Sequence, residues 1–335
     1  MKSKYYMNSY CTLFNSLYLS RGLAMYRSLE KHAKDFHLYI FAFDDECYRI
    51  LSELKLNKAT IIRLCDFEDE KLLAIKSTRT TGEYCWTCTP SIILYSIRKF
   101  GLSNCTYLDA DLFFYADPVI LIEEAKGASV IITPHRYSPM YEDSESGGTY
   151  CVQFVYFKNS DEGIAVLEWW RSACIEWCYN RREPGRFGDQ KYLDVWTTKF
   201  TGVHVLEHLG GGVAPWNVQQ YDFEYKIGQI WGRELASQRL FPVVFYHFHA
   251  LKYAEKNSFT LAGGNLISDN DIHFLYKPYI KALKNSGREI RFLSCLVQFH
   301  EMNEIPRIRK SLRRMFNLYV LGKFREYYHQ SYFLR

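Results

Sequence analysis

Two aspartates one residue apart, Asp109 and Asp111, stand directly after the apolar stretch Asn104-Cys105-Thr106-Tyr107-Leu108. That stretch reads as a buried strand, and carboxylates one residue apart in an extended chain point the same way. They can therefore share one hard divalent cation. Mg²⁺ and Mn²⁺ take such oxygen ligands and complete their shells with diphosphate oxygens. A cation held there offsets the charge that builds on a departing nucleoside diphosphate. Most Asp-x-Asp triplets are solvated loops or helix caps. What distinguishes this one is its setting: an apolar strand before it, and Leu112-Phe113-Phe114 and Asp117-Pro118 after it. Paired carboxylates at the end of a buried strand are costly unless a cation or donor compensates them.

Three other groups carry chemistry. His247 and His249 lie in the apolar run Phe241 to His249, where strand alternation puts both on one face. Gly188-Asp189-Gln190 reads on its own as a turn and helix start. Gly210-Gly211-Gly212 leads into Pro215-Trp216-Asn217; the glycines allow close backbone approach, and Trp216 is a flat apolar surface on which a sugar can stack. The cysteines carry no comparable signal. Cys85 and Cys88 form a lone pair at two-residue spacing, Cys174 and Cys178 have no histidine nearby in sequence, and ten thiols in a chain this long read as reduced and buried.

The segment Thr106 to Pro118, with its Tyr-Leu-Asp-Ala-Asp core, resembles the motif strand of retaining GT-A glycosyltransferases, especially the family 8 group that includes glycogenin and bacterial lipopolysaccharide galactosyltransferases. The resemblance runs in islands from about residue 10 to about residue 255. It implies that Asp109, Asp111 and His247 hold Mn²⁺ (or Mg²⁺) against a UDP-sugar diphosphate, with Ala110 between the two acids and Lys252 on the phosphates. It places Asp189 and Gln190 near the reacting carbon of the sugar, Arg79 (with Lys76 second) on the donor, and Thr12 and Asn15 at the nucleoside, beside Tyr18 and Arg21. It puts Gly212 and Trp216 on the acceptor side. The chain departs from the family in three places. Ala250 stands where the family has glycine, Lys252 comes one residue early, and the first strand end lacks the family's acidic residue.

The elements that must position these residues are legible as apolar runs. Tyr10–Phe14, His37–Phe43 and Thr60–Leu64 read as strands, with helices over Leu23–Lys31 and Glu46–Leu54 between them. This β-α-β-α-β opening predicts a parallel sheet covered by helices, whose ligands sit at the carboxyl ends of the strands. Helices are expected at Pro90–Phe100, Val119–Ala125 and Ile164–Tyr179, and strands at Ser129–Thr133, Tyr150–Phe157, Val203–Leu206 and, last, Phe241–His249. Tyr137 to Gly148 reads as a polar loop. The fold class is α/β, and the resemblance makes it a GT-A sheet over residues 1–260 with a helical C-terminal extension over 261–335.

Hydrophobic residues at 48% suffice for a large core, and the net charge of +5 favours an anionic ligand without a basic stripe for nucleic acid. The N-terminus lacks a signal-peptide run and no stretch approaches a membrane span, so a cytoplasmic enzyme is expected. Residues 305–325 hold seven Lys or Arg and no acid, with apolar residues at helical spacing. That pattern suits an anionic membrane surface and a lipid-linked acceptor. The sequence expectation is transfer of a hexose from a nucleotide-diphosphate sugar to a saccharide acceptor in bacterial surface-polysaccharide synthesis. The alternatives are an inverting enzyme with Asp189 as base (Asp143 or Glu145 behind it) and a nucleotide-sugar-binding scaffold without catalysis.

Overall fold

The computed structural model describes residues 7–141, 147–304, 316, 320, 323–324 and 326–333. Three strands, β1 (Asn8–Phe14), β2 (Phe36–Ala42) and β3 (Ala59–Arg63), alternate with helices α1 (Leu19–His32) and α2 (Asp45–Leu54). β1 and β2 are apolar on both faces because each face is covered. Asp44 starts α2, its carboxylate accepting the Cys47 N–H at 2.7 Å and the Ser16 N–H at 2.8 Å.

Later strands are β4 (Asn104–Leu108), β5 (Leu112–Phe114), β6 (Val130–Pro134), β7 (Tyr150–Lys158) and β8 (Val203–Val205). The main sheet has the order β3-β2-β1-β4-β7-β6-β8. β3, β2, β1 and β4 are parallel to one another, and β6 and β8 are parallel to each other. β7 is antiparallel to both its neighbours, so six strands run one way and β7 alone runs against them. The α/β class expected from sequence, a mostly parallel sheet between helices, is the architecture observed. One face packs Tyr10, Phe14 and Leu108 against Leu23 and Tyr26 of α1. The other packs Cys11, Phe41 and Phe157 against α3 (Thr81–Phe100) and α4 (Asp161–Glu176).

Two sequence expectations are corrected. Helix α3 begins at Thr81, not at Pro90, and Pro90 lies inside it. Thr80 and Glu83 form a reciprocal capping box at its start. That cap, with the buried residues Tyr84, Cys88 and Ile92, outweighs the one backbone bond that proline removes. The second correction concerns Phe241–His249, which is neither one strand nor the last. β9 (Tyr221–Lys226), β10 (Gln229–Glu234) and β11 (Leu240–Pro242) form a small antiparallel sheet. β12 (Phe245–His247) instead pairs with β5. Pro242 cannot donate to a ladder, so it sits on the edge strand β11, and the chain changes sheets after it.

Past β12 come β13 (Lys252–Ala254) and β14 (Ser258–Thr260), then helix α5 (Lys277–Leu293), which lies along α1 with Arg27 and Glu289 paired at 2.8 Å. The chain returns as β15 (Lys323–Phe324) and β16 (Tyr327–His329), β16 pairing with β14. All ten cysteines are free thiols. No helix among the described residues is long and apolar enough to cross a membrane. The basic segment 305–325, along with Asp143 and Glu145, lies almost wholly outside the described residues.

Candidate metal centre

The acidic triplet is not extended. It is a tight turn between β4 and β5, closed by the Leu112 N–H donating to the Asp109 carbonyl at 3.2 Å. The turn hands the chain from the main sheet to the β5–β12 ribbon. Convergence of the two acids therefore comes from this turn and from its partner strand, not from strand alternation. β12 lays His247 opposite Leu112, and the Phe248 N–H donates to the Asp111 carbonyl at 3.0 Å. As a result Nε2 of His247 lies 3.1 Å from Oδ1 of Asp111 and 3.6 Å from Oδ2 of Asp109. One ligand atom from each of Asp109, Asp111 and His247 falls within 4.8 Å of the others.

A second layer fixes the first. Nδ1 of His247 lies 2.9 Å from Oε1 of Gln153. An amide oxygen accepts, so Nδ1 holds its proton and Nε2 is directed at the carboxylates. The Asp109 N–H donates to the Gln153 carbonyl at 3.0 Å, so one residue of β7 anchors both the acid turn and the imidazole. The Tyr107 hydroxyl donates to Oδ1 of Asp109 at 2.9 Å. Trp216 packs edge-on against His247 and His249, with ring centroids at 5.5 and 5.6 Å.

The charges within the cluster are unequal. Burial, then the Asp111 charge, pushes Asp109 up to about 6 against the pull of His247. Burial acts upward on Asp111 too, but His247, His249 and Arg21 outweigh it and hold this carboxyl at about 2. His247 is raised well above an ordinary histidine: burial opposes the charge, and Asp111 and Asp109 overcome it. The imidazolium is thus the cluster's own counter-charge. A divalent cation bound by the same three groups would take the place of that proton. Two carboxylates and one imidazole suit Mn²⁺ or Mg²⁺, and the nitrogen favours Mn²⁺ of the two. Asp109, Asp111 and His247 can hold one metal ion.

The other predicted residues divide into those near the cluster and those apart from it. Asp189 is buried, and burial followed by the Asp109 charge pushes it up to about 8. Its neighbour Gln190 turns away to donate to the Gly147 carbonyl at 2.6 Å. Ala110 is the buried corner of the acid turn. Gly212, at φ 109°, sits where a Cβ would come within 2.7 Å of Thr133, and Gly210 sits where one would come within 1.9 Å of the Pro242 carbonyl. Lys252 is exposed in β13, and its charge acts on His249. Between them Ala250 occupies the left-handed region, φ 62°, a conformation that favours glycine. His249 lies beyond the end of β12 and is exposed. Thr12 is fully buried within β1, and Asn15 follows the end of that strand without capping the next turn.

Arg79 is engaged elsewhere. Its guanidinium stacks 3.8 Å from the Tyr179 ring and donates to the Tyr179 hydroxyl and the Ile175 carbonyl. The arginine whose charge reaches Asp111 is Arg21 of α1. It is 1% exposed, paired with Glu301, bonded to the Leu251 carbonyl at 2.9 Å and flanked by the Tyr18 and Tyr253 rings. Gln153 escaped the sequence reading. Its one signal is a lone amide within the apolar run of β7, a strand with no solvent-facing side.

Fold and site together define a mixed α/β protein with a dicarboxylate–histidine cluster, able to hold a metal ion, at the carboxyl edge of its sheet. No family model matches the chain. It is 33% identical over 287 residues to the Bacillus subtilis protein YfnD, spanning 84% of this chain and 90% of that one. It is 32% identical over 285 residues to YfnF of the same organism, spanning 82% and 91%. The chain belongs to the family of YfnD and YfnF, both described as uncharacterized. Similar solved structures include the galactosyltransferase LgtC in complex with donor and acceptor sugar analogs, with a TM-score of 0.47, 10% identity, and 83% of this chain and 95% of that one covered. Mouse xyloside xylosyltransferase 1 has a TM-score of 0.39 and 16% identity, with 59% and 84% covered.

Proposed function

We propose that the chain is a metal-dependent glycosyltransferase of GT-A type. It moves a hexose from a nucleotide-diphosphate sugar, a UDP-sugar, to a saccharide or lipid-linked saccharide acceptor with retention of configuration. The setting is cytoplasmic assembly of a bacterial surface polysaccharide. The observation that carries this reading is the convergence of Asp109 and Asp111 with His247, brought from a distant part of the chain, at the edge of the sheet. The likeness of the Tyr-Leu-Asp-Ala-Asp segment to family 8 enzymes supports it.

In this reading Asp109, Asp111 and His247 hold Mn²⁺ or Mg²⁺, which when bound neutralises charge on the diphosphate oxygens. Gln153 keeps the imidazole in the tautomer that can ligate. Lys252 and Arg21 supply positive charge around the phosphates; Arg79, tied to Tyr179, is the weaker candidate. Asp189 and Gln190 serve the sugar. Asp189, once metal binding draws off the proton that burial and Asp109 hold on it, supports developing positive charge at the reacting carbon. Gln190 reaches the sugar on releasing the Gly147 carbonyl. Thr12 and Asn15 border the nucleoside. Gly212 and Trp216 form the acceptor wall, and residues 305–325 rest on an anionic membrane.

The test is a thermal-shift panel of nucleotide-sugars with and without Mn²⁺. A ligand that binds the native state raises the melting temperature, so a UDP-hexose should stabilise the protein only when metal is present. Equal shifts without metal, or none with any nucleotide-sugar, would sink the reading. The anomeric configuration of the product, read by NMR, separates retention from inversion.

A further inference from the structure

Helix α5 carries a one-sided charge pattern that the proposed site does not use. Lys277, Lys281, Lys284 and Arg288 recur at helical spacing and line a groove of about 260 Å³ closed at one side by Phe333. The opposite stripe of the helix, Tyr279, Ile280, Leu283, Ser286 and Ile290, is buried. The one acid within the helix, Glu289, pairs with Arg27 of α1. One turn beyond Arg288, on the same stripe, Phe292 is 90% exposed, and in the bend that follows the helix end Leu296 is 92% exposed. Single exposed hydrophobics are common, but two large, almost fully exposed ones within five residues at the end of a cationic helix are not.

We propose that this face, with Lys281, Lys284 and Arg288 on anionic headgroups and Phe292 and Leu296 in the acyl boundary, docks the protein on an anionic lipid surface. Charge and shape choose this occupant. Basic side chains gain from an anionic leaflet, and projecting Phe and Leu gain only where hydrocarbon receives them; a nucleic acid would satisfy the first need and leave the second. The chain also continues past residue 304 into the basic stretch 305–325, so a second cationic element follows within a few residues. The inference extends the membrane reading of that stretch to a surface the structure describes, and it stands apart from the chemistry of the metal centre.

The surface is also wired to the site. From Leu296 the chain runs to buried Phe299, whose ring lies 5.1 Å from the Arg291 guanidinium. His300 stacks on Tyr253 at 3.8 Å. Glu301 then pairs with Arg21, beside Asp111.

Vesicle cosedimentation of the full chain tests the proposal. Binding is expected to equimolar phosphatidylcholine–phosphatidylglycerol vesicles and not to phosphatidylcholine alone. Phe292→Asp combined with Leu296→Asp should weaken binding by about a hundredfold. Lys281→Glu, Lys284→Glu and Arg288→Glu together should do the same. Melting should stay unchanged in both variants, because these side chains face outward. Phe292→Trp should add a blue-shifting emission on mixing with the anionic vesicles. Wild-type binding by both variants would overturn the proposal. So would binding lost only in Arg313→Glu with Arg314→Glu, which would assign the membrane to the tail alone. Self-association in sedimentation velocity that Phe292→Asp abolishes would also overturn it, since the occupant would then be a second copy. None of these readouts requires a nucleotide-sugar, so they fail or succeed independently of the proposed reaction.

Discussion

Two buried polar networks meet at Trp216, and they are built on opposite principles. On one side Arg136 donates to the carbonyls of Gly211, Leu206 and His208. Asn217 uses its whole amide there: Oδ1 accepts the Ala214 N–H, and Nδ2 donates to the His135 and Gly212 carbonyls. That network is closed, with donors matched to acceptors inside the protein. On the other side two carboxylates and one imidazole share a corner where Asp109 is pushed up, Asp111 is held down, and the charges settle only through a proton on His247. The Gln153 amide nitrogen there is buried without a hydrogen-bond partner among the described residues. A closed network positions the glycine loop and Trp216. An open one is disposed to exchange its proton for a cation.

The largest expected effect breaks the open network. Asp111→Asn keeps the shape and removes a ligand charge, so metal-dependent turnover of a UDP-sugar should fall by about 10³-fold. Retention of full activity would show that the cluster is structural. The closed network should respond in stability instead. Asn217→Leu strands the Ala214 N–H and the Gly212 carbonyl, and should cost about 3 kcal/mol in urea unfolding with Mn²⁺ affinity little changed. Gln153 tests the boundary between the two. Gln153→Leu should weaken Mn²⁺ binding by roughly 10–100-fold, whereas Gln153→Glu, which still accepts from Nδ1, should keep most of it. Electron paramagnetic resonance titration reads both.

The smallest effect, taken per pH unit, is in pH dependence. Asp189 is pushed up to about 8 by burial and by Asp109, whereas an unfolded aspartate titrates near ~4. Between those values the metal-free folded state keeps a proton that the unfolded state has lost. Stability therefore falls as pH rises through that window, by up to ~1.4 kcal/mol per pH unit. Asp189→Asn should flatten the slope; an unchanged slope would assign it to other groups.

The sheet was legible because its strands are apolar on both faces and end in polar turns. The acid motif was legible because it follows such a strand. Helix α3 was half read: Thr80 and Glu83 spell a capping box, but Pro90 drew attention to a later start. The hairpin of β9 and β10 went unread although Tyr221, Phe223 and Ile230 mark its buried side. The pairing of His247 with Asp111 could not be read from order alone. It depends on β12 leaving one sheet to join β5, a choice made by tertiary contacts. Gln153 was invisible for the same reason, since a buried amide shows its role only when its partner is known.

The reversed direction of β7 has an evolutionary consequence. In a wholly parallel sheet the edge that holds the ligand receives only carboxyl ends, and each loop there must also feed a helix. β7 brings an amino end to that edge, with Gln153 near its start and the β6–β7 connection directly before it. Among its described residues that connection carries only the short helical turn Pro139–Tyr141 and a last helical residue, Gly147, rather than a crossover helix. Length changes in it are expected to spare the acid turn, which Gln153 holds from within β7, so relatives should differ more in this connection than at Asp109, Asp111 and His247.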